Sequence, residues 1–433
     1  MALYSGALRS DIIDDTSFSQ SRCEFRLQKG AMYFSNMRLA NLGIKSTADQ
    51  YNKLAGCYGI IKRISLQDGS QILDELVDAN RYLAFDNCLG ENAENRDYKA
   101  RLSKNAVGFK LSEAKVVEEG GHPNPASEDE SLKTSATGAK SNLGTLDLRR
   151  ALGLLNKLNI LDNGGVFQNL KIVIEWESDR RNKIVTQTVT DDEIVEPILI
   201  VDEVVNEELK AENRKNMKNV VWNAIEKDII QVPDGKTTAN ALADGATAEQ
   251  SVNKKINGYD GKLVSRMVLM KAFTDKSKDV QANAVFGNGQ FGSKIMFQEK
   301  LNMALNGKRI FTGDGLQKKA KLRLLADTWG DVNIAPFDAS LSVGLDKKAD
   351  NSTHQDGTRA IVANNQNSHT GQADFIGLTI GDRVNNLELN YERTLVKDTE
   401  AVQIYNEGLD VHIYAEVSKS LIMGKDGYQV RYN

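Results

Sequence analysis

Residues 59–85 read GIIKRISLQDGSQILDELVDANRYLAF, and the prediction of the fold begins from this stretch. Its first part is rich in β-branched residues, which favour an extended strand. Asp68 and Gly69 follow, and a glycine there supplies the positive φ angle that a tight hairpin turn requires. The return segment leads into a longer, helix-like piece that ends at Phe85. The stretch therefore predicts a β-hairpin followed by a helix, and no catalytic residue types converge on it.

Length and composition limit the classes of protein to which the chain can belong. A chain of 433 residues is too long for one ordinary domain, so two domains are expected. Charged residues make up 26% and aromatic residues 6% of the sequence, which is typical of a soluble globular protein rather than a disordered one. The formal net charge of −4 argues against a protein that coats nucleic acid, because such proteins neutralise phosphates with a basic surface.

Cysteine usage and the N-terminus bear on the compartment. The three cysteines, Cys23, Cys57 and Cys88, have no paired spacing, so we expect no disulfide framework and a reducing compartment. The first residues lack the charged and apolar regions of a signal peptide. No window reaches the ~20 apolar residues that a membrane-spanning helix needs. The sequence thus predicts synthesis in the cytosol and no transmembrane segment.

The rest of the N-terminal half contains strands, loops and one short helix. Residues 1–20 are polar and are interpreted as an arm or a short helix. Residues 22–27 alternate, with Cys23, Phe25 and Leu27 on one face, as in a half-buried strand. Residues 118–141 contain Gly, Pro and an acidic run, which is typical of a surface loop. Further strands are predicted at 107–111, 184–189 and 197–205.

Residues 146–177 form the second informative stretch. A short amphipathic helix is predicted at 147–158, followed by a turn at Asn163-Gly164-Gly165. A strong strand then alternates over 170–177, with Leu170, Ile172, Ile174 and Trp176 on one face. Val173 is the one apolar residue on the opposite face, which predicts partial cover of that face.

These two stretches resemble the double jelly-roll major capsid proteins of DNA viruses. Residues 59–85 share the strand, the Gly-containing turn, a Q-I-x-D sequence at Gln71–Asp74 and an amphipathic tail. Residues 146–177 share a leucine-rich short helix, a loop and a strand that ends in an acidic residue. The sequence lacks the prolines and the phenylalanine-rich run common in the giant-virus members. The resemblance is therefore to the virophage and Polinton-like lineage or a related one.

The C-terminal half repeats this style of strands and polar loops. Long polar loops are predicted at 234–257 and 338–372, and Asn306-Gly307 is a strong hairpin signal. Strands are predicted at 219–230, 262–273, 295–305, 319–325, 387–394, 409–417 and 428–432.

Many short strands with long polar loops and few helices predict an all-β protein. Residues 206–218 have mixed charge and no apolar periodicity, so we interpret them as an exposed linker, with a short helix. The halves 1–205 and 219–433 each contain enough strands for one eight-stranded jelly roll. Two consecutive jelly-roll barrels are what the resemblance implies.

No residue pattern predicts a catalytic, cofactor or metal site. The four histidines, His122, His354, His369 and His412, form no H-x-H or H-x-x-H pair, and His412 is predicted on the polar face of a strand. The Gly-rich segment 286–292 has GxGxxG spacing but lacks the flanking strand and helix of a dinucleotide site, so a bend is favoured.

The charged clusters of the sequence are also interpreted as solvated segments. The acidic clusters at 127–131 and 191–193 do not follow a calcium-loop pattern and are interpreted as solvated loops. The pairs Arg149-Arg150 and Arg180-Arg181 are expected on solvated turns or beside carboxylates, although contact with nucleic acid or anionic lipid is the alternative. No GxSxG or cysteine nucleophile signature occurs.

The resemblance implies a structural capsid protein and not an enzyme. Such a chain forms a homotrimer, a pseudo-hexagonal capsomer that tiles an icosahedral shell beside neighbouring capsomers, penton and minor capsid proteins. We expect it in the virion, made in the host cytoplasm or a viral factory, without sequence-specific nucleic-acid binding and with a membrane possible beneath the shell. The alternatives are a single jelly-roll penton or minor capsid protein, a carbohydrate-binding β-sandwich attachment protein, which exposed Trp and Tyr would favour, and a β-barrel enzyme.

Overall fold

The structure is a computed structural model. It describes residues 8–45, 55–89, 102–103, 143–178, 193–215, 219–243, 246–274, 299–311, 324–325, 327–330, 375–396, 408–424 and 427–433. The strands in the N-terminal half are β1 (Leu8–Ile13), β2 (Ser17–Phe18), β3 (Arg22–Arg26), β4 (Met32–Phe34), β5 (Arg38–Leu42), β6 (Ile61–Asp68), β7 (Gln71–Val77), β8 (Gly144–Asp147), β9 (Ile160–Asp162), β10 (Leu170–Trp176) and β11 (Ile198–Val204).

The C-terminal half is also built from strands. They are β12 (Val220–Val232), β13 (Thr247–Lys255), β14 (Leu263–Phe273), β15 (Glu299–Leu305), β16 (Lys308–Arg309), β17 (Phe375–Arg383), β18 (Leu387–Val396), β19 (Leu409–Gly424) and β20 (Gly427–Tyr432). The α-helices of both halves are α1 (Ala79–Cys88), α2 (Gly153–Lys157), α3 (Glu207–Lys215) and α4 (Lys236–Asn240), and short 3₁₀ helices cover Gly56–Ile60 and Leu148–Arg150.

The strands form four antiparallel sheets, two in each half. Sheet A contains β1, β4, β5, β8, β9 and β11, and sheet B contains β2, β3, β6, β7 and β10. Sheet C contains β12, β14, β17, β19 and β20, and sheet D contains β13, β15, β16 and β18. Within the described ranges, no strand pairing joins a sheet of one half to a sheet of the other.

Successive strands of the C-terminal half alternate between its two sheets. The chain runs from β12 in sheet C to β13 in sheet D, back to β14 in sheet C and on to β15 in sheet D. The same alternation continues through β17, β18 and β19. Each sheet is therefore assembled from strands distant in sequence, as in a jelly roll.

The predicted hairpin and helix of residues 59–85 are confirmed. Strands β6 and β7 pair up to Asp68 and Gln71, and Gly69 has a φ of 61°. A positive φ at the first loop residue is what a type II′ hairpin turn requires, and glycine adopts it without steric cost. The amphipathic tail forms helix α1. The Asn306-Gly307 hairpin between β15 and β16 is also confirmed, with φ angles of 50° and 81°.

Strand β10 lies at the centre of sheet B, between β3 and β6, as its alternation predicts. Leu170, Ile172, Ile174 and Trp176 are buried in the core. Val173, on the opposite face, is only 2% exposed, so the predicted partial cover of that face is confirmed. Strand β3 shows the predicted burial of Cys23 and Phe25.

The buried side chains form two clusters. One lies between sheets C and D and includes Tyr259, Tyr391 and Ile413. The other fills the N-terminal half and continues without a break into residues of the C-terminal half, among them Trp222 and Tyr414. Sheet C is consequently covered by apolar side chains on both of its faces.

The predicted polar loop at 234–257 is wrong over most of its described residues. Helix α4 begins at Lys236, and β13 pairs with β18 from Thr247 to Lys255. Strand β13 lies at the edge of sheet D, and Val252 is its only buried side chain. An edge strand that exposes most of its side chains needs few apolar residues, so its composition is that of a loop.

Two other local predictions, at residues 1–20 and 319–325, are wrong for their described residues. Residues 8–13 of the predicted arm or short helix form β1, an exposed edge strand that pairs with β11. Leu324 and Leu325, the described end of the predicted strand 319–325, are helical. Strands β4, β5, β8, β9 and β17 were not predicted. The four in the N-terminal half have three to five residues, too few for a clear period to emerge.

The remaining segments named from the sequence fall largely outside the described residues. These are the predicted strands at 107–111 and 184–189 and the predicted loops at 118–141 and 338–372. The predicted helix at 147–158 is confirmed as helical but consists of two short pieces, Leu148–Arg150 and α2.

Replacing Trp176 with alanine tests how much this buried side chain of β10 contributes to the free energy of unfolding. Trp176 is 4% exposed, so Trp176→Ala leaves a cavity and should lower the free energy of unfolding by about 3–5 kcal/mol. Urea denaturation followed by circular dichroism measures this change.

Glu175→Ala is the matched control on the opposite face of the same strand. The Glu175 side chain is 45% exposed and contacts Arg63 at 3.3 Å, so its loss should change stability by less than about 1 kcal/mol. A silent Trp176→Ala together with a strongly destabilised Glu175→Ala would contradict the register of this strand.

Candidate functional site

The two halves meet through helix α1, which packs its aromatic side chains against sheet C. The Tyr82 ring lies 5.6 Å from the Tyr414 ring of β19, measured between centroids. Phe85 meets Trp329 and Phe375 edge-to-face, each with a centroid distance of 5.1 Å. Tilted and edge-to-face arrangements are those that aromatic pairs favour. This contact extends the apolar core of the N-terminal half onto sheet C.

The partners of α1 are themselves held in place. Trp329 donates its indole N–H to the carbonyl oxygen of Met267 on β14, at 3.1 Å. Tyr414 donates its hydroxyl hydrogen to the carbonyl oxygen of Asp78 at 2.9 Å. A buried tyrosine or tryptophan needs such an acceptor, because an unpaired donor in the core destabilises the fold. The aromatic contact therefore has a defined geometry.

Asp78, which precedes α1, ties the same contact together electrostatically. Its backbone has a φ of 48°, a left-handed conformation that Asp tolerates better than most residues. Its buried carboxylate contacts the ammonium groups of Lys62 on β6 and Lys227 on β12. Burial and the neighbouring Lys62 lower the pKa of Lys227 to about 8. One carboxylate shared by two lysines thus links sheet B with sheet C.

Helix α2 forms a second contact between the halves. Its first residue, Gly153, lies against Asn223 and Trp222 of β12. A Cβ atom at position 153 would sit 1.9 Å from the Asn223 carbonyl oxygen, so only glycine permits this approach.

The last strand, β20, forms a third contact. The Tyr428 ring packs on Phe167 with a centroid distance of 5.1 Å. The Tyr428 hydroxyl donates a hydrogen bond to Oδ2 of Asp68, beside the hairpin turn, at 3.0 Å. Burial, together with this carboxylate, raises the pKa of Tyr428 above its ordinary value. Val430 also packs against the N-terminal core.

A cleft of about 380 Å³ opens beside these contacts, and its arginines are engaged within the chain. Arg150 donates to Asp86 and Asn87, at 2.6 and 2.7 Å. Arg266 forms a bidentate pair with Glu416 and stacks on Trp329, 3.9 Å from the ring centroid. Each arginine pairs within its own half, and its planar guanidinium group fixes the direction of its partners there.

The residues weighed for other chemistry are not brought together. Within the described ranges, no group of three His, Cys, Asp or Glu side chains is positioned to hold a metal ion. His412 is 4% exposed, so its predicted place on a polar face is wrong; Met270 and Ile229 flank it in the sheet. The other three histidines, the Gly-rich segment 286–292 and the acidic run 127–131 lie outside the described residues.

Of the two arginine pairs considered from the sequence, Arg149-Arg150 lies within the described residues. Arg149 pairs with Asp147 and Arg150 with Asp86, as expected for arginines beside carboxylates. Arg180 and Arg181 lie outside the described residues, as do Asp191 and Asp192. Cys23 and Cys57 are both buried. All three tryptophans are buried, so none supplies an exposed stacking platform.

The residues that join the halves were not identified as a site from the sequence. Tyr82 and Phe85 lie three positions apart, which places them on one face of a helix. That spacing is the only local signal. Their partners come from segments more than two hundred residues away, and no periodicity links them.

Solved structures with the same fold were found across the whole chain. The crystal structure of PBCV-1 VP54, fitted into a cryo-EM reconstruction of the virophage Sputnik, matches 98% of this chain and 97% of its own, with a TM-score of 0.56 and 10% identity. The mavirus major capsid protein matches 100% of this chain and 91% of its own, with a TM-score of 0.55 and 10% identity. The Faustovirus major capsid protein matches 96% and 90%, with a TM-score of 0.52 and 7% identity.

At these identities the likeness establishes the fold. The predicted fold class, an all-β double jelly roll, is confirmed; the number of eight strands in each barrel stays a prediction. No protein-family model matches the sequence, and no curated protein sequence matches it. This chain therefore shares its fold with these proteins but has little sequence identity with them.

Gly153→Ala should disturb the contact between the halves. Within an isolated helix this change is stabilising, but here the new methyl group collides with Asn223 of β12. We expect a loss of about 1–3 kcal/mol in the free energy of unfolding, measured by urea denaturation. Asn156→Ala on the exposed side of α2 is the control and should change it by about 0.5 kcal/mol or less. A stabilised Gly153→Ala protein would rule out the close approach.

Proposed function

We propose that the chain is a viral major capsid protein whose function is assembly. Three chains form a pseudo-hexagonal capsomer, and capsomers tile an icosahedral shell. The observation that supports this most strongly is the match of the whole chain, both barrels included, to capsid proteins of virophages and large DNA viruses. The proposed role is structural and needs no catalytic residue or cofactor.

The joined core supports a rigid building block. Because the halves share one apolar cluster, the two barrels form one unit with two similar lobes. A closed three-fold arrangement of such units presents six lobes, which suits a hexagonal lattice with weaker contacts between blocks. Neighbouring capsomers, penton and minor capsid proteins are the expected partners, and the virion is the expected location, after synthesis in the host cytoplasm or a viral factory.

We propose the domain division 1–205, 206–218 and 219–433. Helix α3 occupies the linker and has no buried residue. The strand before it, β11, belongs to sheet A, and the strand after it, β12, belongs to sheet C. Arg214 anchors the helix by pairing with the buried Asp162 at 2.8 Å.

Two further expectations belong to the proposal. The acidic net charge of −4 supports the absence of sequence-specific nucleic-acid binding. No helix within the described ranges is long and apolar enough to cross a membrane. A membrane beneath the shell is a further partner that the proposal allows. A carbohydrate-binding attachment protein is disfavoured because the tryptophans are buried.

The capsomer proposal predicts a trimer in solution. Light scattering coupled to size exclusion should give three times the chain mass of 47.8 kDa. Negative-stain images should show particles with a six-lobed outline, which separates a capsomer from a trimeric fibre. A monomer that stays monomeric at micromolar concentration and at raised salt would contradict the proposal.

The domain proposal predicts that cleavage of α3 leaves the halves associated. A protease site introduced at 209–212, which spares Arg214, should be cut readily because the helix is exposed. The two fragments should then co-elute in size exclusion, since the shared apolar core holds them together. The uncut protein is the control, and dissociation into separate halves without denaturant would contradict the joined core.

A further inference from the structure

Asp74 presents a buried carboxylate where both halves meet. Its side chain on β7 is 1% exposed. The Leu154 N–H of α2 donates to its Oδ2 at 2.8 Å, and the Glu75 N–H donates to its Oδ1 at 3.0 Å. In the described part of the chain no cation forms an ion pair with it, in contrast to Asp78 with its two lysines.

The charges that face Asp74 come from the C-terminal half. Lys419 of β19 is the ammonium group that acts on it, but Lys419 Nζ is bound to Glu226 of β12 at 2.8 Å and lies over the Tyr432 ring. On its own strand, the neighbouring Glu75 pairs with Arg63. Burial raises the pKa of Asp74 to about 6, and the two amide hydrogen bonds, Lys419 and the Trp222 side chain of β12 offset only part of this rise.

The position of Asp74 couples it to the joint between the halves. Its carboxylate holds the first turn of α2, and Gly153 in that turn presses against β12. Strand β7 itself packs beside β12. Separation of the halves would return the carboxylate to water, where its pKa falls toward its ordinary value of 3.8. Docking of the halves and protonation of Asp74 therefore favour each other.

We propose that Asp74 makes the contact between the two halves pH-dependent, and that mild acidification tightens this contact. The sign follows from linkage. A group that binds its proton more tightly in the docked state contributes stability below pH 3.8, and this stability is lost as the pH rises through about 6. The contact is consequently firmer at pH 5.5 than at pH 7.5. This inference concerns a single chain and does not depend on the proposed assembly.

Hydrogen exchange measured by mass spectrometry tests the proposal on the intact protein. Peptides covering 150–158 and 220–226 report on α2 and β12, and their rates are corrected for the intrinsic effect of pH. Protection should rise about fourfold from pH 7.5 to pH 5.5 in the wild type. In Asp74→Asn that rise should be absent. Any contribution from His412 of β19 is common to both proteins and cancels in the comparison.

Two controls keep the outcome decisive. Glu75→Gln alters the adjacent, solvent-facing carboxylate and should retain the wild-type rise. A peptide covering 388–394 in sheet D, away from the joint, should show no comparable change. If Asp74→Asn does not fold, Asp74→Ser, which also lacks the titrating carboxyl group, replaces it in the comparison with the wild type. Protection that is flat, that falls on acidification, or that rises equally in every peptide would overturn the proposal.

Discussion

The burial of the α1 aromatic side chains against sheet C is the interaction on which the structure depends. Tyr82 and Phe85 belong to the N-terminal half, and their partners Tyr414, Trp329 and Phe375 belong to the C-terminal half. Removal of this apolar surface from water drives the association, and the ring geometry gives it a direction. Together with the contacts of α2 and β20, this burial gives the two sandwiches one shared apolar cluster.

The hairpin before α1 makes this burial possible. Gly69 turns the chain so that β7 runs beside β6, and Asp78 then redirects the backbone into the helix. Strand β7, at the edge of sheet B, packs beside β12, and the helix that follows it places Tyr82 and Phe85 against sheet C. The hairpin of residues 61–77 thus sets where the second barrel docks.

Polar groups around the aromatic contact fix its orientation. The carboxylate of Asp78 pairs with Lys62 of the N-terminal half and with Lys227 of the C-terminal half, at least partly out of water. Buried ion pairs add little net stability, because desolvation offsets their attraction, but each is satisfied in one arrangement only. The burial energy accordingly comes from the aromatic and aliphatic side chains, and the charges select the relative placement of the barrels. The proposed capsid role requires that single placement, since the contacts between neighbouring blocks in a lattice repeat it.

The elements whose signal is local could be predicted from the amino-acid sequence. The alternation over 170–177, the Asp68-Gly69 turn and the Asn306-Gly307 turn each predicted their structure, because side-chain period and backbone φ preference act within a few residues. Strands β1 and β13 were not predicted, because edge strands expose most of their side chains and so have the composition of loops.

The tertiary structure alone decided which surfaces meet. Nothing near Tyr82 or Phe85 in sequence names Tyr414, Trp329 or Phe375 as partners, and His412 lies on a strand whose two faces are both covered. The burial of a residue on such a strand depends on a second layer contributed by distant segments. Docking of one barrel on the other supplies that layer, and this contact is set by the packing of whole sheets rather than by any local pattern.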